Sequence, residues 1–249
     1  MNVFKNYSKY YDLLYKDKDY NLEALYIIDL LKKYSPNARS LLELGCGTGK
    51  HANILADNGY SVLGIDISMT MLNKAKKFSK SGVNFEFGDV RKFRANRKFD
   101  AVISLFHVAS YQTTNDDLLN YFKTAKAHLD REGIFIFDCW YGPAVLSQKP
   151  QKRIKELEDD NIKVKRSAIP EIYLQRNVVD VNYIIKIQDK KTGNEENIKE
   201  THSMRYLFTP EIELFIKIAD FKLIDSHEWL SGKIPSDGTW SVSFIVRAI

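Results

Sequence analysis

An α/β fold built on a mostly parallel sheet is what this sequence predicts, and three observations predict it. Strand-like and helix-like stretches alternate from about residue 39 to residue 140, the pattern that a parallel sheet requires. The strand-like stretches are apolar almost throughout, as in GIFIFDC at 133–139, which suits strands covered on both faces. The first of them, carrying Leu41, Leu42 and Leu44, leads into a turn with Gly45, Gly47 and Gly49 and then a helical segment from Lys50 to Asn58. Strand, glycine-rich turn and helix make the first half of a Rossmann-like nucleotide-binding unit. Glycine suits the turn because it permits positive φ and lets backbone approach a ligand closely.

The elements follow in order. Residues 1–20 are dense in tyrosine, and Tyr7, Tyr11, Leu14 and Tyr15 have helical spacing. Two readings stay open: a helix packing its rings on the core, and a cap that closes over a ligand, excludes water and orients polar groups. A second helix is expected over 21–34, with Leu22, Leu25, Ile28 and Leu31 on one face, ended by Ser35-Pro36-Asn37. After the glycine turn, 61–65 reads as a second strand that ends at Asp66. Ser68 then looks like the N-cap of a helix carrying Met69, Met71, Leu72 and Ala75. Residues 83–87 make a third strand, followed by Gly88-Asp89-Val90; 99–105 make a fourth, 116–129 a helix and 133–139 a fifth strand.

Pro143 to Pro150 ends this regime. The β-branched runs at 162–166, 178–188 and 202–208 predict a small antiparallel sheet inserted after the fifth strand. Thr209-Pro210-Glu211 starts a helix that runs to about Ala219, with proline in its first turn. Residues 221–229 and 239–248 read as the last two strands. The expected division is a core of 1–149 and 209–249, with a helical cap at 1–35, and an inserted lid or substrate subdomain at 150–208.

Bulk properties exclude several classes. The chain has 249 residues, 44% of them apolar, and a net charge of +5 from 37 basic and 32 acidic residues. That excess is small, and the lysine-rich stretches at 74–80 and 91–98 read as solvated faces, so nucleic acid is not an expected partner. No signal-peptide core opens the chain and no apolar run is long enough to span a membrane. Cys46 and Cys139 are the only cysteines and form no C-x-x-C pair. They read as reduced thiols of a cytoplasmic protein. The five histidines are scattered with no H-x-x-x-H pair, so no metal is expected.

The chemistry of the glycine turn narrows the ligand. A dinucleotide site would place a small residue where Lys50 stands, and no G-K-[ST] follows for a P-loop. Glu43, two residues before Gly45, would repel a pyrophosphate but favour a ligand with a positive amino group. S-adenosyl-L-methionine (SAM) has an ammonium, a sulfonium and no phosphate. Asp66 lies about twenty residues past the turn, where Rossmann-type sites bind ribose hydroxyls.

At this point the chain resembles the class I SAM-dependent methyltransferases, through LLELGCGTG at 41–49, GIDIS at 64–68 with ML at 71–72, FGDVR at 87–91 and FDAVIS at 99–104. The resemblance implies a seven-stranded, mostly parallel sheet whose last strand is antiparallel. It implies that Glu43, Gly45 and Gly47 line the methionine part of SAM, and that Asp66 holds the ribose. Ile67 and Met71 would flank the adenine, Asp89 and Val90 would meet its amino edge, and Ser104 and Leu105 would border the transferring methyl. Tyr11, Tyr20, Cys46, Ser68 and Gly88 complete the implied cofactor set.

The ends of the chain narrow the resemblance. NYSKYYDLLYKDKDY at 6–20, CWYGPAV at 139–145, the insert and LFTPE at 207–211 look like bacterial N-methyltransferases of nucleotide-linked deoxyaminosugars. That family implies a role for Tyr7 in catalysis, for Trp140 and Tyr141 against the substrate, and for Lys233, where the family has an arginine, on a diphosphate. Its histidine after the fourth strand falls near Tyr111, whereas this chain has His107 four residues earlier. By chemistry His107 is the better base, since imidazole titrates near neutrality, and Tyr111 would orient the acceptor. A pocket-wall role for His107 and an exposed-turn role for Lys233 remain the plain readings.

Other classes fit less well. Ser104-Leu105-Phe106-His107 stands where a nucleic-acid methyltransferase would carry an N-P-P-Y-like motif. A methyltransferase for another small molecule, N- or O-directed, is the main competitor, and a SAM-binding regulator without catalysis is a third reading. A homodimer is left open.

Overall fold

A computed structural model describes residues 13–16 and 18–249. The elements are α1 (Tyr20–Tyr34), β1 (Ser40–Leu44), α2 (Lys50–Asp57), β2 (Ser61–Asp66), α3 (Met69–Lys77), β3 (Val83–Phe87), β4 (Phe99–Ser104), α4 (Asn115–Ala127) and β5 (Leu129–Tyr141). Then come α5 (Gly142–Gln148), β6 (Arg153–Glu158), β7 (Ile162–Tyr173), β8 (Val178–Asp189), β9 (Glu195–Leu207), α6 (Thr209–Ile218), β10 (Phe221–Glu228) and β11 (Ser241–Ala248). A 3₁₀ turn, Val108–Tyr111, follows β4.

The main sheet runs β3-β2-β1-β4-β5-β11-β10. Its first five strands are parallel. β11 pairs antiparallel with both β5 and β10, so the C-terminal ends of β1 to β5 and of β10 lie along one edge. Alternation of side chains across a strand sends Leu42, Leu44, Ile65, Val102, Phe135 and Phe137 to one face, under α4 and α6. Leu41, Val62, Ala101, Ile103, Ile134 and Ile136 go to the other, under α1, α2 and α3.

The inserted strands form an antiparallel sheet, β9-β8-β7-β6, and β9 continues the main sheet by pairing parallel with β5 at Trp140↔Tyr206 and Tyr141↔Leu207. Residues Leu13 and Leu14 are buried between Met71 of α3 and Val164, Ile185 and Ile198 of the insert.

Several elements differ from expectation for physical reasons. α1 turns Glu23, Ala24, Ile27, Ile28, Leu30 and Leu31 inward, while Leu22 and Leu25 are each 50% exposed. The apolar stripe is rotated because Glu23 finds buried partners, described below. α4 stops at Ala127 and Leu129 already pairs with Phe99, so β5 starts earlier than its apolar run. β6, RIKELE, has no apolar signature because it is an edge strand, and charge on an edge resists further pairing. β7 passes through Pro170 because β6 covers it only as far as Ala168, so beyond that point one side of β7 needs no ladder donor.

Candidate active site

The glycine turn is shaped by what sits on it. Gly45 has φ +80° and Gly49 φ +73°. A Cβ at Gly45 would stand 2.6 Å from Val108 of the 3₁₀ turn, and one at Gly49 would stand 2.3 Å from the Phe85 ring. Gly49 thus gives the close helix–sheet packing that the position of Lys50 does not. A Cβ at Gly47 would meet nothing within 4 Å, so the turn is open there. The Gly45 and Cys46 N–H groups donate to Ile65 O at 2.8 and 2.9 Å, tying the turn to the end of β2.

Three acids gather on the face under α1 and α2. Glu43 is buried, and its Oε2 has no hydrogen-bond partner among the described residues. Burial, then the neighbouring Asp66, pushes its carboxyl up to about 8, with Lys18 opposing. Asp66 closes β2, and its Oδ2 and Oδ1 accept the Gly47 and Ser68 N–H groups at 2.9 and 2.7 Å. Glu23 accepts from His51 Nε2 at 2.7 Å and pairs with Lys18 Nζ at 3.0 Å. Lys18 Nζ also lies 3.4 Å from the centroid of Phe106, a cation–π contact. Lys18, Tyr20, Glu43, Lys50 and Phe106 line one cleft with the glycine turn.

Beyond Asp66 the surface is apolar and uncovered: Ile67 is 52% exposed and Phe87, at the end of β3, 59%. Ser68 accepts the Met71 N–H at 3.4 Å and caps α3. Met71 is buried in the cluster with Leu13 and Leu14 rather than exposed beside Ile67. Asp89 holds Arg91 with both oxygens, at 2.9 and 2.7 Å, and Arg91 holds its carboxyl below the usual carboxylate range. A Cβ at Gly88 would stand 2.6 Å from the Phe93 ring, and Val90 packs on the core.

At the end of β4 the chain takes two consecutive non-glycine residues with positive φ, Phe106 at 67° and His107 at 65°. Such residues are held only where surroundings over-determine them. Asp138, on β5, does this: its Oδ1 accepts the His107 N–H at 3.0 Å, and its Oδ2 lies 3.3 Å from His107 Nε2. Ser241 Oγ lies 3.1 Å from the same ring nitrogen. Burial lowers the His107 imidazole below its ordinary pKa, with Asp138 opposing.

The structure separates some residues that the sequence reading grouped. Leu105 lies on the face of Ile103, toward the cleft, whereas Ser104 is on the opposite face with its hydroxyl donating to Leu44 O at 2.8 Å. Trp140 follows Asp138 on one face, and its ring meets His107 at 6.4 Å. Tyr141 points to the other face, with its hydroxyl 3.4 Å from Thr209. Tyr111 Oη lies 2.8 Å from His202 Nδ1, on the insert. Lys233 is exposed in the loop between β10 and β11, at the same edge, where Trp240 packs edge-on against Trp140. Tyr7 and Tyr11 lie outside the described residues.

Asp138, Glu23, His51, Lys18 and His202 escaped the sequence reading. A signal was present for two of them: Asp138 is a charge inside an apolar strand, and Glu23 a charge where a helix turns inward. Neither needs a nearby partner in sequence, which is why the pattern alone reads as core.

Comparison with known proteins bears on this geometry. A model of the methyltransferase domain matches residues 41–133. Two similar curated proteins are the dTDP-3-amino-3,4,6-trideoxy-alpha-D-glucopyranose N,N-dimethyltransferase of Streptomyces venezuelae, 36% identical over 135 residues, and the dTDP-3-amino-3,6-dideoxy-alpha-D-glucopyranose N,N-dimethyltransferase of Streptomyces fradiae, 34% identical over 135. These alignments cover 53% of this chain and 56% and 52% of the relatives, so the chain spans about half the length of the curated relatives it matches. A malonyl-[acyl-carrier protein] O-methyltransferase of Acetivibrio thermocellus is 33% identical over 93 residues, 36% of this chain and 32% of that one. Among solved structures, an S-adenosylmethionine-dependent methyltransferase of Clostridium acetobutylicum superposes with a TM-score of 0.81 at 25% identity over 98% of both chains. Streptomyces venezuelae DesVI does so at 0.82 and 24%, over 98% of this chain and 99% of that one. The chain therefore carries a methyltransferase domain, matched over 41–133, in the fold of the class I S-adenosylmethionine-dependent methyltransferases.

Proposed function

We propose that the protein transfers the methyl group of SAM to the amino group of a nucleotide-linked deoxyaminosugar. The observation that carries this is the order of groups along one sheet edge. A carboxylate oxygen lacking a described partner, an acid beside the glycine turn and an exposed apolar shelf lead, on the other side, to an imidazole backed by a carboxylate.

These residues fit the cofactor. Glu43 would take the methionine ammonium, Asp66 the ribose hydroxyls, and Ile67 and Phe87 the adenine. Each Asp66 oxygen accepts one backbone N–H and keeps capacity for another donor. The bound cofactor supplies an already activated methyl group, so the chain's task is orientation, exclusion of water and removal of a proton. His107 stays neutral at pH 7 because burial depresses its pKa. With its Nε2 proton facing Asp138 and Ser241, Nδ1 is the basic nitrogen that takes the amine proton. The insert 150–208 acts as the acceptor-side lid, and Trp140 and Lys233 face the substrate. Cys46 and Cys139 are free and buried, which suits the cytoplasmic setting we assign.

The names of the two Streptomyces relatives support the aminosugar. The malonyl relative supports a second reading, O-methylation of a small carboxylate. A carboxylate needs no base to attack a methyl group, so the Asp138-backed His107 favours the amine. Mass spectrometry of incubations with SAM decides: dTDP-3-amino-3,6-dideoxyglucose should gain one or two methyl groups, and more readily than the free aminosugar. Methylation of a malonyl thioester with none on any nucleotide aminosugar would overturn the proposal.

A further inference from the structure

His128 is a buried histidine that the proposed mechanism leaves unused. It follows α4 directly and is 1% exposed. Its Nδ1 lies 2.8 Å from Thr124 O, and its Nε2 accepts the Ala95 N–H at 2.9 Å. A carbonyl only accepts and a backbone N–H only donates. The imidazole is therefore neutral, with its proton on Nδ1 and with Nε2 bare. Backbone groups cannot change role, so this tautomer is fixed from both sides.

The surroundings oppose a second ring proton. Burial lowers the imidazole below its ordinary pKa, with the Thr124 carbonyl opposing and the cations Arg94 and Lys98 adding to the effect. Arg94 reaches Thr124 Oγ1 at 3.1 Å, and Lys98 Nζ donates to Leu129 O at 3.0 Å. Arg97 lies over Phe99, whose ring meets the imidazole at 6.1 Å. Protonation would set Nε2–H against the Ala95 N–H and leave that amide without its acceptor.

Ala95 belongs to the loop 88–98 that joins β3 to β4. Phe99 N–H donates to His128 O at 2.9 Å, so His128 grips this crossover at two points, by its ring and by its backbone. Phe93, inside the loop, stacks on the imidazole at 5.6 Å and 19°. The same ring fills the space that a Cβ at Gly88 would need, 2.6 Å away. Phe93 thus spans from His128 to the corner that follows β3. Its N–H donates to Asp89 O at 2.9 Å, and the Gly88 N–H donates to Asp66 O at 3.1 Å. That corner lies beside Phe87 and Asp66, the residues proposed for the adenine and the ribose.

We infer that neutral His128 is an acid-sensitive latch on the β3–β4 crossover, holding the Gly88–Asp89 corner in place for the cofactor, and that protonation at Nε2 releases the loop and weakens SAM binding. This inference rests on the reading that sets the adenine against Phe87. His128 is a positioning residue that acts through Phe93. The latch is complete near neutral pH and is lost as pH falls through the depressed pKa of the ring.

Two measurements test it. Imidazole ¹⁵N NMR of the whole protein without cofactor should show His128 as the Nδ1–H tautomer at pH 7.5. On acidification the Ala95 amide resonance should move with the same midpoint as the ring. His128→Gln places an amide oxygen near the Nε2 position and keeps an acceptor for Ala95 at every pH. In calorimetry with SAM the two proteins should bind within about twofold of each other at pH 7.5, and His128→Gln should bind about fivefold or more tighter than wild type at pH 5. Glu43 titrates in both proteins and cancels in this ratio. An Nε2–H tautomer overturns the inference, as does an Ala95 amide that does not follow the ring, or a ratio within about twofold from pH 7.5 to pH 5. Phe87→Ala separates the underlying reading: it should weaken SAM binding at both pH values. If it binds SAM like wild type, the adenine reading fails whatever the ratio; a weakened Phe87→Ala with a flat ratio overturns the latch alone.

Discussion

Cofactor binding should expel a proton from Glu43. The carboxyl is 1% exposed, and burial and Asp66 together hold its pKa at about 8. At pH 7 a group with that value is protonated in about nine molecules of ten. An ammonium brought within reach of Oε2 favours the charged form, and a close opposite charge lowers a carboxyl by about 1–3 units. A drop to about 5.5 leaves the group almost fully ionised at pH 7, so binding releases roughly 0.9 proton. The release should shrink to roughly a quarter of a proton at pH 5, where both states hold the proton, and to about 0.1 at pH 9, where neither does.

Titration calorimetry in phosphate and in Tris reads this number, because the proton's heat depends on the buffer that takes it up. Glu43→Gln should bind SAM more weakly and lose the buffer dependence. Any contribution from Lys18 persists in that variant and cancels in the comparison. The same group sets a stability trend without cofactor. Its folded pKa lies above its unfolded value of 4.5, so its contribution is full below that pH and is lost as pH rises through about 8. SAM should flatten this decline in thermal melts. Buffer-independent heats at pH 7, or equal release from Glu43→Gln, would refute the assignment of Glu43 to the ammonium.

Four further outcomes are expected. Asp66→Ala should weaken SAM binding by at least about tenfold in calorimetry, since charge-assisted hydrogen bonds to the ribose contribute about 1.5–3 kcal/mol each and the Gly47 and Ser68 N–H groups lose their acceptor too. Gly45→Ala should lower the melting temperature and SAM affinity together, because φ +80° costs a non-glycine residue about 1–3 kcal/mol and its Cβ meets Val108 at 2.6 Å. His107→Ala should lower kcat by about 10²–10⁴-fold with SAM affinity unchanged, and a drop under about threefold would leave it a wall residue. Lys233→Ala should raise KM for the nucleotide-linked sugar and leave the free sugar's KM alone; equal KM values for both sugars in the wild type would remove its role.

The core strands and the glycine turn were legible because they are local. Apolar runs at 41–44, 61–65 and 133–139 announce buried strands, and the turn residues follow at once. The facing of particular side chains was legible only in part. Period two sends Ser104 and Leu105 to opposite faces, and likewise Trp140 and Tyr141, so a motif that takes both neighbours into one cleft overcounts. Strand β6 was illegible because an edge strand of charged residues looks like a loop. The buried charges were illegible for another reason. Glu23 reaches His51 across 28 positions, His107 reaches Asp138 across 31, and Tyr111 reaches His202 across 91. No local pattern reports such pairs, and each stands alone in its own element as an anomaly.

Two of those distant pairs, His107 with Asp138 and Tyr111 with His202, converge on the segment after β4, and this explains why its backbone is unusual. Phe106 and His107 both occupy the left-handed region, a conformation that costs free energy at each residue and relaxes unless held. Here it is held from four sides. Asp138 takes the His107 N–H at 3.0 Å, and Val108 fills the space a side chain at Gly45 would need. Ser110 Oγ accepts the Trp140 N–H at 2.9 Å, and Tyr111 reaches the insert through His202. Remove any one anchor and the others still constrain the same seven residues, so single substitutions should perturb rate before they perturb fold. The turn is also where the glycine loop, the β5 acid and the inserted sheet meet.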